Sequence, residues 1–171
     1  MKVLRKFLVA AGVLIAAACL LLMPQFAASP SHPITGLSGS AQMDGEPTPA
    51  FHAKAPVDAL PSTMDPSLFP DVLTFNAYTV AGRTKKVLYQ QPCYCHCDRS
   101  QGHGSLLDCF VSRHGAGCDI CLKEDFYAYE QAHSGKTAAQ IRKGIIHGEW
   151  QRVDTAKYAK DHLPPGKAPA K

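Results

Sequence analysis

The sequence predicts a small, mostly α-helical domain with an irregular cysteine-rich loop, preceded by an export signal and a disordered linker. Three observations predict this class. Capping residues precede stretches in which apolar side chains recur at a spacing of three and four. One short run, residues 86–91, has the character of extended chain. Six of the seven cysteines fall between Cys93 and Cys121, in a stretch that begins without helical periodicity.

Residues 1–28 have the composition of an export signal. Three basic residues within the first six precede an uninterrupted apolar run over residues 7–23, and small residues follow Pro24. The run is about as short as a bilayer-spanning helix can be, so the segment is predicted as a signal peptide or an N-terminal membrane anchor. Further apolar residues follow Cys19, which indicates an ordinary residue of this run. The rest of the chain is expected outside the cytoplasm, periplasmic or secreted, or anchored to the inner membrane through this segment only.

Two regions of low apolar content flank the predicted domain. Residues 29–62 are rich in Pro, Ser, Gly, Ala and Thr and show no periodicity, which is typical of a flexible linker. Residues 152–171 end in a stretch of Pro, Lys and Ala and are predicted as a disordered tail. The remaining residues, 63–151, form the predicted cysteine-rich helical domain. A domain of this size buries a modest core and is often stabilised by metal ions or disulfides.

The first helix of the domain is predicted over residues 70–81. Asp65 and Pro66 are residue types that begin helices, and apolar side chains then share one side of the predicted helix. Gly82 is expected to end it, because glycine commonly follows the last turn of a helix. The extended run at 86–91 would then lead into the first cysteines.

Three further helices are predicted after the first cysteines. The Ser-x-x-Asp pattern that begins at Ser105 predicts a capping box and a short helix to about residue 112. A second helix is predicted from residue 118 to about 133, with Leu122 and Phe126 on one face. Thr137 begins another capping box, which predicts a third helix to about residue 150.

The charge and the motifs of the chain exclude several classes of function. The net charge is +4, and three of the basic residues belong to the export signal. No stripe of Lys and Arg with interleaved aromatic residues is present, so no nucleic-acid partner is expected. The sequence also lacks a Ser/His/Asp arrangement, a convincing carboxylate pair and a phosphate-binding glycine loop, which disfavours an ordinary hydrolase.

The spacing of the cysteines is the feature of the sequence that best indicates a functional site. A C-x-C-x-C run is followed by a single cysteine and then by C-x-x-C at a predicted helix start. Thiolates are soft ligands that suit copper, zinc and iron–sulfur iron, and two sulfurs separated by two residues project from one helical turn. We therefore predict a metal site formed by the six cysteines of this stretch: Cys93, Cys95, Cys97, Cys109, Cys118 and Cys121.

Two other interpretations of the same cysteines remain open. Cys118 and Cys121 at a helix start match the geometry that makes a thiol reactive, which would give a thiol-based oxidoreductase. No thioredoxin-like pattern of strands and helices surrounds the pair. Alternatively, six cysteines in an exported domain can form three disulfides that staple an interaction module. Pairing within the CYCHC run would close strained rings, so such bridges would join it to the later cysteines.

The histidines near the cysteines differ in their expected roles. His96 stands between two cysteines and is the preferred candidate for an additional nitrogen ligand. His103 and His114 lie beside glycines and are expected in turns or in solvent. His133 and His147 are expected on helix surfaces.

The chain resembles the PCYCGC-motif (CYCxC) family of bacterial exported proteins. The resemblance spans about residues 60–150 and rests on Pro92 to Cys97, on Ser105 with Cys109 and Phe110, on residues 114–121, and on Gly135, Ile141 and Arg142. It implies a secreted or lipid-anchored protein without a particular assigned activity. Some members are selenoproteins, which implies reactive or metal-ligating cysteines and not merely structural bridges. His96 replaces the glycine of the family motif.

From these observations we expect an exported cysteine-rich protein that binds a soft metal ion. Copper or zinc is expected, with an iron–sulfur centre as a further candidate. Its expected role is binding, delivery or electron transfer, not turnover of an organic substrate. The expected partners are the metal ion and another exported redox or metal-handling protein.

Overall fold

The structure is a computed structural model of the chain, and it describes residues 45–164. The predicted export signal, residues 29–44 of the predicted linker and residues 165–171 of the predicted tail lie outside the described residues. The described part is helical and contains no β-strand, which confirms the mostly α class. Its five α-helices are α1 (Val72–Leu88), α2 (Cys97–Gln101), α3 (Leu106–Val111), α4 (Asp119–His133) and α5 (Ala138–Ile146). Short 3-10 helices cover Pro66–Leu68, His114–Gly117, Glu149–Arg152 and Thr155–Tyr158.

Helix α1 is longer than the sequence predicts. It begins after Asp71, whose carboxylate accepts the N–H of Thr74 at 2.8 Å, and it continues through Gly82 to Leu88. The prediction that Gly82 ends the helix was therefore wrong, as was the extended run at 86–91. Gly82 lies close to Thr63, whose hydroxyl oxygen would be only 3.3 Å from an added Cβ. The glycine therefore lets the segment that contains Thr63 pack closely against α1. Thr84 has non-helical backbone dihedral angles, so the helix is kinked at this residue.

The core forms where α1 packs against α4. Its largest fully buried side chains come from four helices: Tyr78, Leu88, Leu106, Leu107, Phe110, Phe126, Ile141 and Ile145. Aromatic contacts link these helices, since the ring centroids of Tyr78 and Phe110 lie 5.2 Å apart in an edge-to-face arrangement. This core holds α3 and the start of α4 beside the loop that follows α1, and so fixes the positions of the cysteines.

The two predicted capping boxes lie at helix starts as expected, whereas Asp65 and Pro66 begin a separate 3-10 helix and not α1. At α3 the carboxylate of Asp108 accepts the N–H groups of Gly104 and Ser105, at 2.7 and 3.2 Å. At α5 Thr137 and Gln140 bond each other's backbone N–H, at 3.3 and 2.9 Å. Helix α5 ends at Ile146 and not near residue 150, because Gly148 adopts a left-handed backbone conformation and a 3-10 turn follows.

Chain segments outside the five helices also pack onto them. Residues 152–164, which the sequence assigns to the tail, include the buried Tyr158, whose ring stacks on Phe126 with centroids 3.8 Å apart. Residues 45–62, assigned to the linker, have no helix, yet His52 stacks on Tyr89 with centroids 3.9 Å apart. No helix within residues 45–164 is both long and apolar enough to cross a lipid bilayer.

Candidate metal centre

The loop after α1 is held in place by backbone and carboxylate contacts. The N–H of Leu106 donates to the carbonyl of Gln91 at 3.0 Å, and the N–H of Tyr94 donates to Glu124 Oε1 at 2.9 Å. The second bond ties the loop to α4. A tight turn follows, in which the N–H of His96 donates to the carbonyl of Cys93 at 3.1 Å. The turn directs the loop sulfurs toward α3 and α4.

Five sulfurs from three parts of the chain converge in the core. We call them the thiolate cluster: Cys93, Cys95, Cys97, Cys109 and Cys121. The Sγ atom of Cys93 lies 3.3 Å from that of Cys95, 3.5 Å from that of Cys121 and 3.9 Å from that of Cys109. Cys97 and Cys109 are 3.4 Å apart, and Cys95 and Cys121 are 3.6 Å apart.

These separations suit ligation of a metal ion. Four thiolates arranged tetrahedrally at about 2.3 Å from one ion are about 3.8 Å from each other. A disulfide bond would require about 2.05 Å, and all six described cysteines are free. The geometry of the cluster is therefore compatible with a bound metal ion, and it does not by itself identify the metal.

Cys118 lies at the edge of this arrangement. It precedes the first turn of α4, and its Sγ accepts the N–H of Cys121 at 3.4 Å. It is partly exposed, as is Cys95, whereas the other four sulfurs belong to buried residues. Cys118 belongs to neither of the two sets of four donors that lie within 4.8 Å of one another.

Two histidines approach the cluster, and they are not the one that the sequence favours. Nε2 of His114 lies 3.4 Å from Cys95 Sγ, and Nδ1 of His103 lies 3.4 Å from Cys109 Sγ. His96 instead lies beside Glu46, with Nε2 3.1 Å from Oε1 but without an aligned hydrogen bond at either ring nitrogen.

A sequence signal for His103 and His114 does exist. They stand on either side of the short helix α3, which carries Cys109, so both are close to this cysteine along the chain. The glycines next to them predict turns or solvent exposure. In the structure those same turns bring the imidazoles back toward the sulfurs.

The cluster stabilises a thiolate at Cys95. The pKa of this thiol lies far below its ordinary value because the thiols of Cys109 and its neighbours donate hydrogen bonds to the sulfur. The pKa of Cys121 is raised, since hydrogen bonds with Cys109 and other neighbours favour its protonated form. Burial, followed by the nearby His114, lowers the pKa of His103, which keeps its imidazole neutral. Metal ligands must be deprotonated. The lowered pKa of Cys95 favours that state, whereas the raised pKa of Cys121 means that a metal ion would have to displace its proton.

A segment of the predicted linker covers part of the cluster. Pro49 is buried, and together with Ala50 it lines a narrow crevice against Cys93 and Cys97. The N–H of Ala50 donates to Asp98 Oδ2 at 3.2 Å, which fixes the segment to α2. This cover shields two of the five sulfurs from solvent.

The backbone explains the glycine of the family motif. His96 is the only non-glycine residue among those described with a positive φ, at 56°. This left-handed conformation is adopted by glycine without steric cost, so the motif's glycine meets a backbone requirement of the turn. In this chain His96 adopts that conformation, and its Nε2 lies 3.1 Å from Glu46 Oε1; the residue is in neither set of four donors.

The comparisons with known proteins place the chain in one family. A family model described as a protein of unknown function with the PCYCGC motif matches residues 41–160, most of the chain. No curated protein and no solved structure matches it. The match begins before the cysteines and covers the segment that shields them as well as the helices that carry them. The chain therefore belongs to the family of proteins of unknown function with the PCYCGC motif.

Proposed function

We propose that this protein is an exported metal-binding protein that holds a soft metal ion through its thiolate cluster. The observation that carries the proposal is the convergence of five sulfurs, at 3.3–3.9 Å for the closest pairs, with the imidazole of His114 beside them. Thiolate and imidazole together suit copper and zinc, and thiolates alone suit an iron–sulfur centre. Binding, delivery or electron transfer is the proposed role.

Two features support handling of the metal instead of permanent storage. Cys95 is partly exposed and carries the thiol with the lowered pKa, so the sulfur that most readily ionises is also one that a partner can reach. Cys118 is partly exposed beside it. Another exported metal-handling or redox protein is the proposed partner. The apolar run at residues 7–23 supports export.

The test is metal analysis of the full chain, isolated from its native compartment without exposure to oxygen. We expect near-stoichiometric metal by elemental analysis and thiols that are protected from alkylation until a chelator is added. Cys95→Ser should lose the metal, because this sulfur belongs to both four-donor sets. Cys118→Ser is the matched control and should keep it. Metal-free protein whose six cysteines are all paired as disulfides would refute the proposal.

The second candidate function is thiol–disulfide exchange by Cys118 and Cys121. It is favoured by the N–H of Cys121, which points at Cys118 Sγ from the first turn of α4. In this reaction the two thiols become a disulfide while a partner's disulfide is reduced to two thiols. The pKa of Cys118 opposes it: the hydrogen bond with Cys121 lowers this pKa, but the contact with Cys95 and burial raise it overall. Fast alkylation of Cys118 near neutral pH in metal-free, reduced protein would favour this alternative.

A further inference from the structure

The donors around the cluster form two overlapping sets of four. One set contains Cys93, Cys95, Cys97 and Cys109, and the other contains Cys95, Cys109, Cys121 and His114. Within each set all donor atoms lie within 4.8 Å of one another. Four donors complete the tetrahedral shell of a single zinc or similar ion. The two sets together therefore offer more donors than one such ion can use.

We propose that the cluster holds two soft metal ions, bridged by the thiolates of Cys95 and Cys109. This proposal rests on the proposed function and specifies the number and arrangement of ions at the same site. Cys93 and Cys97 complete the shell of the first ion. Cys121 and His114 complete the shell of the second. Neither set contains both Cys97 and Cys121, so the two outer pairs belong to different ions.

The position of Cys95 between the two sets supports a bridging role. Its sulfur lies 3.3 Å from Cys93 Sγ in the first set, and 3.6 Å from Cys121 Sγ and 3.4 Å from His114 Nε2 in the second. A thiolate sulfur has more than one lone pair, so it can bind two soft ions at once. Cys109 is the second shared donor and lies 3.4 Å from Cys97 Sγ.

The charge of the ligands is compatible with two ions. One divalent ion with the three thiolates of the second set leaves roughly one negative charge, and two divalent ions with all five thiolates leave the same, so a second ion lets Cys93 and Cys97 ionise without adding buried charge. Cys93, Cys97, Cys109 and Cys121 are all buried, and buried charge without compensation is costly. Among the described residues the hydrogen bonds donated by lysine and arginine side chains all go to oxygen atoms and none to these sulfurs. The second ion supplies that compensation.

The experiment is a titration of the reduced, metal-free full chain with Co(II), followed by native mass spectrometry and electron paramagnetic resonance. We expect two ions per chain. Thiolate bridges couple the spins of adjacent Co(II) ions, so the signal per ion should fall markedly between one and two equivalents. Cys97→Ser and Cys121→Ser should each reduce the strongly bound ions from two to one. Cys118→Ser, whose sulfur lies outside both sets, should still bind two.

The outcomes separate this proposal from the proposed function. A single tightly bound Co(II) in the unaltered chain would overturn the two-ion centre and leave metal binding intact. Two ions without spin coupling would overturn the bridges. No binding at all would overturn both. The unaltered chain decides these cases, so variants that fail to fold, as judged by circular dichroism, do not leave the question open.

Discussion

At the scale of single residues, the backbone decides which imidazole can serve the cluster. His96 is flanked by two cysteines in sequence, but its left-handed conformation turns the ring to Glu46. His114 is distant in sequence from the loop, yet its Nε2 lies 3.4 Å from Cys95 Sγ. Neighbouring positions in an irregular loop point in directions that sequence spacing does not specify. The sequence could therefore predict the cysteines of the site, whereas the closeness of His114 to Cys109 along the chain did not rank it above His96, which stands between two cysteines.

Replacement of the two histidines tests this difference. We expect His114→Ala to weaken metal binding about tenfold or more, a loss of at least about 1.4 kcal/mol, because one donor is removed. His96→Gly is the matched control: it restores the residue of the family motif, suits the positive φ and should leave the affinity unchanged. Competition with a chelator of known affinity measures both. An equal loss in the two variants would contradict the placement of His114.

At the scale of elements, the capping boxes predicted where two of the five helices begin, and packing decided where some helices end. Asp65 and Pro66 begin a separate 3-10 helix, and Asp71 caps α1. Ser105 and Thr137 preceded helices as expected. Helix α1 passed through Gly82 because Leu88, further along, is fully buried in the core. A local rule that glycine ends a helix was outweighed by burial of apolar surface, which depends on contacts distant in sequence.

The packing of α5 on α4 depends on a glycine. A Cβ at Gly144 would overlap Tyr127 Oη and approach Glu149 Oε2 to 2.8 Å. Those two side chains share a hydrogen bond of 2.5 Å. Alanine favours helix by about 1 kcal/mol over glycine, but overpacking of this kind costs about 1–3 kcal/mol. Gly144→Ala should therefore lower the free energy of unfolding despite the better helix former.

The measurement is denaturant unfolding of the metal-free, reduced protein. Gly117→Ala is the control, because its added Cβ meets nothing within 4 Å and its φ is not positive. We expect a net loss on the order of 1 kcal/mol for Gly144→Ala and little change for the control. A more stable Gly144→Ala variant would show that α5 can move away from α4 at no cost.

At the scale of the whole molecule, two buried carboxyl groups make stability depend on pH. Both oxygens of Asp125 are buried without a hydrogen-bond partner, and burial raises its pKa well above the ordinary value. Burial also raises the pKa of Glu124 to about 8. In the folded protein these groups keep protons that the unfolded chain releases above about pH 4. The stability that these two protonated groups contribute is therefore fully present below that pH and is lost as the pH rises toward the raised pKa values.

The contribution of Asp125 can be isolated. In metal-free, reduced protein the free energy of unfolding should fall between pH 5 and pH 7, by at most about 1.4 kcal/mol per pH unit for each group. Asp125→Asn removes the titrating group and should make this slope shallower. Unfolding by denaturant at several pH values measures it. Identical slopes for the two proteins would mean that Asp125 is ionised in the folded state.

The segment around Pro49 and Ala50, which covers part of the thiolate cluster, determines where a shortened fragment of the protein can begin. A fragment that started at residue 63, where helix-forming sequence begins, would omit Pro49 and Ala50, which line the crevice beside Cys93 and Cys97. Its sulfurs would then face solvent and dissolved oxidants on a side that is closed in the full chain. Loss of metal by such a fragment could then result from the missing residues 49 and 50, and it would not show that the cysteines are not ligands. Fragments intended for metal analysis should therefore begin before Glu46.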